Sequence, residues 1–487
     1  MNIVLFRPSF RSVYELFKRE TKRSETRSPE GILYVASLLL EKGHNVSVVD
    51  GHLENMSFDR LVDTVAAQKP DIAGCGSTTP EFPMVSRYLE SIKKRSCCLT
   101  VLGGPHATAL PDSIISENPH IDYVVRGEGE YTFLELVETL NHDGDLCQAE
   151  GLAFAQNGAP VVTPARAFID DLDQLPPPAR DLVPIKRYLY PHPKEGLKPA
   201  VTMLTSRGCP FNCIFCFSML GKKTRYRSVR LVVDELEMLK GKYDIDFFVF
   251  HDETFTVNRS RTMNMCQEII DRHLDIDWYC FTRADALDEE LIAKMSKAGC
   301  VKVSMGVESG NQQVLDRVRK NTTLEGIRKV YHWLNHYGIE TRGSFILGLP
   351  GETHETIRKT VEFSKSLDLK RVAFNIATPY PGTKLYEMAR KGQQIRLLSE
   401  DWGEYRRWGN AVIKTDAVSR EELIQWQEKA TAEFYSQRRI ILYHLRKLLT
   451  TKDFAYYLRP FWFAIKKTIL HYFKWLQWNQ KATKRNF

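Results

Sequence analysis

Short apolar segments alternate with helix-patterned stretches twice along these 487 residues, and nothing else in the sequence restricts the fold as tightly. Strands joined through helices run parallel, because a long crossover returns the chain to the same end of the sheet. In the first series the strand-like segments are NIVLFRP (2–8), NVSVVD (45–50), DIAGCGS (71–77), LTVLGG (99–104) and IDYVVRG (121–127). Helical spacing occupies 31–43, 82–94 and 129–140. This predicts an N-terminal doubly wound parallel sheet over 1–145, of the Rossmann or flavodoxin type. Such sheets bind ligands beyond the carboxyl ends of their strands. Small residues gather at those ends: GCGSTTP after the third strand, GGPHAT after the fourth, RGEGE after the fifth. Ser77, Thr78, Gly103, Gly104, Gly127 and Gly129 are therefore expected to let backbone approach a flat ligand. Ordinary tight turns explain one such glycine pair; three in succession favour a ligand.

Residues 146–198 read as a connector, with DDLDQLPPPARDL (170–182) as an extended proline-rich strap. The second series follows: AVTMLTSRG (200–208), DFFVFHDE (246–253), DWYCFTRAD (277–285), VKVSMGVESG (301–310), TRGSFILGLPGE (341–352) and VAFNIATPYPG (372–382). These β/α units predict a partial (β/α)6 barrel over 199–395, with its chemistry on the loops after the strands. Residues 396–487 lack the alternation and read as a helical C-terminal extension.

RGCPFNCIFC (207–216) follows the first barrel strand and places Cys209, Cys213 and Cys216 within ten residues. Four clustered thiolates would suit zinc or a fully protein-ligated cluster. Three leave one iron of a 4Fe–4S cube without a protein ligand, open to a small chelating molecule. A zinc knuckle needs a fourth ligand nearby, whereas Cys266, Cys280 and Cys300 lie in other β/α units. Pro210 and Phe211 shape a tight loop, and Phe215 is placed to shield a cluster from water.

The cysteine spacing after a first barrel strand resembles the radical S-adenosylmethionine superfamily, over about residues 200–390. The resemblance implies that Cys209, Cys213 and Cys216 ligate a 4Fe–4S cluster. Its open iron would chelate the amino and carboxylate groups of S-adenosylmethionine, and one electron would cleave that molecule to methionine and a 5′-deoxyadenosyl radical. It further implies that Asp252 and Glu253 of HDETF hold the methionine amino group and that Arg283 of TRAD clamps the carboxylate. Glu308 and Ser309 of GVESG would lie near ribose or methionine, and the turns GLPGE (348–352) and PYPGT (379–383) near adenine. For each of these residues a helix cap or an ordinary ion pair is the alternative.

GGPHAT, VVRGEGE and LDQLPPPARDL extend the likeness to the cobalamin-binding branch of that superfamily, over about residues 1–395. That branch includes methyltransferases acting on unactivated carbon or phosphorus, and the oxygen-independent cyclase that forms the fifth ring of bacteriochlorophyll. The resemblance implies cobalamin as a third cofactor, methyl transfer to an unactivated carbon of a hydrophobic small molecule, and a flavodoxin or ferredoxin as electron donor. Radical cyclisation or rearrangement without net methylation is the alternative reaction, and a non-catalytic iron–sulfur scaffold the alternative outside enzymes. DGHLEN (50–55) offers Asp50 and His52 but Asn55 where the cobalt-ligating motif of many cobalamin proteins has glycine. It also follows the second strand, so cobalt is expected to have no protein imidazole.

The ten cysteines occur without a secretory pattern, which points to a reducing cytoplasm. The net charge of +8 is concentrated at one end. Residues 438–487 hold 12 Lys and Arg against one acid, Asp453, and leave the remainder slightly acidic. Nucleic acid is therefore not an expected partner of the whole chain. The same segment carries 12 aromatic residues, including Trp462, Trp475 and Trp478, with Pro460 dividing it. Basic, aromatic amphipathic helices suit an anionic membrane surface, which predicts peripheral attachment at the inner face of the membrane. Packing on the barrel is the plainer alternative, and RNA contact the third.

Overall fold

A computed structural model describes residues 1–10, 13 and 25–450. The N-terminal strands are β1 (Asn2–Arg7), β2 (Asn45–Asp50), β3 (Ile72–Gly76), β4 (Leu99–Gly103) and β5 (Tyr123–Val125). They pair in parallel, in the order β2-β1-β3-β4-β5. The chain reverses its winding between β1 and β3, which opens a crevice at their carboxyl ends. That crevice encloses about 230 Å³ and is lined by Arg7, Pro8, Phe10, Gly76, Glu81 and Val85, among others.

The stretch read as a connector does more than link domains. β6 (Leu152–Gln156) and β7 (Ala159–Val162) form an antiparallel hairpin that adds two strands beyond β5. Its two-residue turn, Asn157-Gly158, has positive φ at both positions, as such hairpins require. A second hairpin, β8 (Leu189–His192) and β9 (Gly196–Pro199), packs Tyr190 against Phe247, Val249 and Tyr279.

The barrel strands are β10 (Val201–Met203), β13 (Phe247–Phe250), β14 (Asp277–Thr282), β15 (Cys300–Glu308), β16 (Glu340–Leu347) and β17 (Arg371–Ile376), all parallel and in that order. β13 shows why a parallel strand reads as a continuous apolar run. Phe248 and Phe250 join the core beneath the helices, while Phe247 and Val249 pack with Tyr190 on the other face. Between β10 and β13, the two-residue strands β11 (Ser206–Arg207) and β12 (Arg225–Tyr226) pair antiparallel and pinch off the cysteine loop.

The region after 395 is not wholly helical. β18 (Ile395–Leu397) and β19 (Ile413–Thr415) form a hairpin, and Trp402 between them reaches back to the N-terminal domain, edge-on to the His106 ring. Two helices follow, Arg420–Tyr435 and Arg438–Thr450. The last one closes the barrel floor. Arg439 donates to the carbonyls of Lys365, Leu367 and Leu369, Tyr443 to Glu340 at the start of β16, and Lys447 to the carbonyl of Pro193. Its outer face leaves Ile441, Leu442, Leu445 and Leu449 exposed. The remainder of the expected membrane segment, 451–487, lies outside the described residues. No helix among the described residues is long and apolar enough to cross a membrane.

Candidate active site

The cysteine loop begins at Gly208, whose φ of +93° and whose approach to Lys223 exclude any side chain. A Cβ there would lie 2.4 Å from the Lys223 carbonyl oxygen. The loop is then fastened at four points. The Cys209 amide donates to the Gly221 carbonyl at 3.1 Å and the Ile214 amide to that of Val318 at 3.2 Å. The Leu385 amide donates to the Ile214 carbonyl at 2.9 Å, and Lys222 Nζ to the Phe211 carbonyl at 2.6 Å. Cys213 is buried, Cys209 half-buried and Cys216 exposed at the mouth.

These three sulfurs do not converge as ligands of one ion would. A tetrahedral zinc–thiolate site has Zn–S near 2.3 Å and so brings its sulfurs within about 4 Å of each other. Among the described residues only His192, Glu195 and Asp277 place three ligand atoms within 4.8 Å. That group is already satisfied internally: His192 Nε2 bonds Asp277 at 2.8 Å, its Nδ1 accepts two backbone amides, and Lys198 Nζ bonds Glu195 at 2.7 Å. Burial raises the Cys213 thiol, and the Cys216 thiol is raised as well, by the protein packed around it despite its exposed position and by the neighbouring Cys213. Metal loading therefore has to expel protons from these thiols.

The loop after β15 packs against the cysteines from the other side. Glu308 adopts φ +66°, and Arg319 and Asn321 are also left-handed, a cluster of costly conformations of the kind that gathers at functional sites. Lys320, buried at 5% exposure, bonds Glu308 at 2.8 Å. Gly306 makes room for the pair, since a Cβ there would lie 2.2 Å from Glu308 Oε1. Lys320 was not singled out from the sequence. A lysine three residues beyond a helix reads as surface, and only the fold turns it inward.

The other expected site residues divide into two groups. Glu253 is exposed at the mouth, with its carboxyl raised chiefly by burial of part of the side chain. Asp252 is buried, and its Oδ1 accepts from the Thr205 amide, the Thr205 hydroxyl and the Ser206 hydroxyl. Its Oδ2 has no hydrogen-bond partner among the described residues. Arg283 is spoken for: it grips Asp285 through two nitrogens, donates to the Lys320 carbonyl, lies 3.4 Å from Cys213 Sγ and stacks 3.6 Å over Phe211. A carboxylate clamp needs free donors, and most of these are committed to Asp285, the Lys320 carbonyl and the Cys213 sulfur. Ser309 is fully buried with its hydroxyl 3.0 Å from that of Thr360, which removes it from the mouth.

On the sheet side, Ser77, Thr78, Gly103, Gly104, Gly127 and Gly129 do fall on three adjacent strand-end turns. Gly104 has φ +91°, and a Cβ there would sit 2.9 Å from the Ser77 carbonyl oxygen. Gly127 is also left-handed, whereas Gly103 and Gly129 carry no such demand. The Thr78 amide is capped by Glu81, while the buried Ser77 hydroxyl has no hydrogen-bond partner among the described residues. His106 Nε2 is buried and likewise unpartnered; its ring is enclosed by Phe82 and Trp402, and burial lowers it to about 4. In DGHLEN, Asp50 is engaged by Arg7 and by the Tyr188 hydroxyl, and His52 stacks on Phe10 at 4.0 Å.

Comparison with known proteins agrees with this two-part architecture. Residues 203–364 match the Radical SAM superfamily and residues 22–137 the B12 binding domain. An uncharacterized methyltransferase of Pyrococcus horikoshii is 35% identical over 422 residues, covering 86% of this chain and 90% of that one. The anaerobic magnesium-protoporphyrin IX monomethyl ester cyclase of Rubrivivax gelatinosus is 32% identical over 429 residues, covering 86% and 76%. Among solved structures, the radical S-adenosylmethionine methyltransferase TsrM of Kitasatospora setae, with cobalamin and a 4Fe–4S cluster bound, superposes with TM-score 0.68 at 18% identity, over 90% of this chain and 89% of that one. The cobalamin-dependent S-adenosylmethionine radical enzyme OxsB gives TM-score 0.72 at 17% identity, over 92% and 68%. The two-domain fold is thus shared, and the chain belongs to the radical SAM superfamily, in the branch that carries an N-terminal B12-binding domain.

Proposed function

We propose that the protein is a cobalamin-dependent radical S-adenosylmethionine methyltransferase acting on an unactivated carbon of a hydrophobic small molecule. The observation that carries this reading is the cysteine loop. Three thiols stand at a barrel mouth, too far apart for one ion, while the other barrel cysteines, Cys266, Cys280 and Cys300, are buried elsewhere. That donor set fits a 4Fe–4S cluster with one iron free. When bound, the cluster, S-adenosylmethionine and cobalamin supply the radical and the methyl carrier, which side chains cannot.

The chain's own residues hold and shield. Cys209, Cys213 and Cys216 take the cluster, and Arg283 steadies the Cys213 sulfur. Glu253, exposed at the mouth, is the acid left to meet the methionine ammonium. Lys320 and Glu308 form a charged pair behind the cysteines, positioned to orient the remainder of that molecule. On the sheet, Gly104 and Gly127 provide a close backbone surface for the corrin, and Ser77 offers it an unspent hydroxyl. The test is anaerobic reconstitution with iron and sulfide. Wild type should hold about four irons per chain and release 5′-deoxyadenosine, whereas C213A should not; equal release by C213A would refute the cluster assignment.

The 32% identity to a cyclase supports a second reading, oxidative ring formation without net methylation. Transfer of labelled methyl from S-adenosylmethionine to product separates the two. An electron donor of the flavodoxin or ferredoxin kind is required by either. Peripheral attachment to the inner face of the membrane is supported by the apolar outer stripe of the helix Arg438–Thr450 and by the basic, aromatic sequence that continues it.

A further inference from the structure

The RGEGE turn after β5 does something its glycines do not suggest. Its two glutamates leave the sheet and enter the base of the cysteine loop. Arg207, two residues before Cys209, bonds Glu128 Oε1 at 2.8 Å and Glu130 Oε1 at 2.6 Å. Arg225, on the partner strand β12, bonds Glu128 Oε2 at 2.7 Å. All four side chains are at most 6% exposed, and two cations face two anions, so the cluster is neutral as a whole. Further bonds tie the cluster to the surrounding backbone. Arg225 reaches the carbonyls of Ile169 and Leu220 at 2.6 and 2.7 Å, and the Ile169 amide returns to Glu128 Oε2 at 2.8 Å. Arg207 lies 5.2 Å over the Tyr34 ring and Arg225 5.0 Å over that of Phe168. Phe168 also lies against Gly221, where a Cβ would come within 2.8 Å of its ring.

The cysteine loop is thus held at both ends, at Arg207 and at Leu220–Arg225, by one turn of the other domain. We propose that Glu128 and Glu130 are positioning residues. Acting through Arg207 and Arg225, they fix the orientation of the cysteine loop, and so the direction of its open metal corner, relative to the strand ends of the N-terminal sheet. This rests on the cluster reading above. Arg207 bridges two carboxylates and Glu128 bridges two guanidiniums, so the contacts fix orientation as well as charge, and in a dry interface no member can reorient without leaving another unpaired. The same turn carries Gly127 and Gly129, so one segment serves the ligand face of the sheet and the anchor of the metal loop.

The test uses full-length protein reconstituted anaerobically with iron and sulfide. E128Q and E130Q should retain wild-type iron content and a reducible cluster. Their kcat for conversion of S-adenosylmethionine to 5′-deoxyadenosine should fall about 10²-fold, the loss expected when reacting groups are displaced by about 1 Å. KM should change far less, and the EPR spectrum of the reduced cluster with S-adenosylmethionine added should differ from wild type. R207K keeps the charge without the fork and should fall between. Turnover within twofold of wild type with an unchanged spectrum would overturn the proposal. So would iron and turnover falling together, leaving activity per cluster constant. Should E128Q not fold, E130Q decides, since it removes only one of Arg207's two carboxylates. Wild-type protein that holds no iron would strike the cluster reading instead, and the same iron assay reports it.

Discussion

Substituting Glu352 by glutamine should stabilise the protein at alkaline pH and do little at acid pH. Glu352 closes the GLPGE turn after β16, where its Oε2 accepts the Gly348 amide at 2.7 Å and the Leu349 amide at 2.9 Å. Those bonds favour the carboxylate. Burial outweighs them, because the residue is 1% exposed and Oε1 has no hydrogen-bond partner among the described residues. The acid is pushed from 4.5 up to about 8. Raised in the fold, it contributes its stabilisation fully below its unfolded value of 4.5 and loses it as pH climbs through 8. At about 1.4 kcal/mol per unit the whole loss is roughly 5 kcal/mol, of which about 2–3 kcal/mol falls between pH 6 and 8. Glutamine keeps one acceptor for the two amides and does not ionise. For a chain of this size 1 kcal/mol moves Tm by about 1 °C. Wild type should therefore lose about 2–3 °C relative to E352Q on going from pH 6 to pH 8, measured by anaerobic scanning calorimetry. A gap between the two proteins that stays constant across this range would show that the carboxyl is already ionised at pH 6.

Gly208→Ala forces a side chain into the Lys223 carbonyl at a left-handed position, so reconstituted G208A should carry markedly less iron than wild type while its far-ultraviolet circular dichroism is preserved. Arg180 is buried between Glu30 and Glu235, and R180M should lower stability by about 3–5 kcal/mol, seen as a lower urea midpoint, because two buried carboxylates lose their shared cation. L442E/L445E places acids on the exposed stripe of the floor helix and should abolish co-sedimentation with anionic vesicles while leaving 5′-deoxyadenosine release unchanged; undiminished sedimentation would exclude that stripe as the membrane contact.

Much of this protein is legible along the chain because its information is local. Parallel strands covered on both faces read as unbroken apolar runs, and FFVF in β13 is the plainest case. The cysteine motif needs only its own spacing and the strand before it. Asn157-Gly158 between two short alternating runs is an equally local signal for the β6–β7 hairpin. Roles that depend on partners distant in sequence could not be read in this way. Arg283 has the chemistry of a carboxylate clamp, but the fold commits its donors to Asp285, Lys320 and the Cys213 sulfur. Ser309 sits in a motif that points to the mouth, yet its hydroxyl meets Thr360 in the interior.

By itself, then, the sequence determined two β/α layers, the strand ends where ligands belong and the three thiols, since each follows from residue type and short-range periodicity. The tertiary structure alone decided which polar groups remain unspent and how the halves are tied. Glu128 and Arg207 stand 79 residues apart, and Arg180 bridges Glu30 across 150. Whether such a charge is a free ligand, a surface ornament or one half of a buried clamp is set by the dielectric and the counter-charge the fold brings to it, and neither is encoded in the neighbours along the chain.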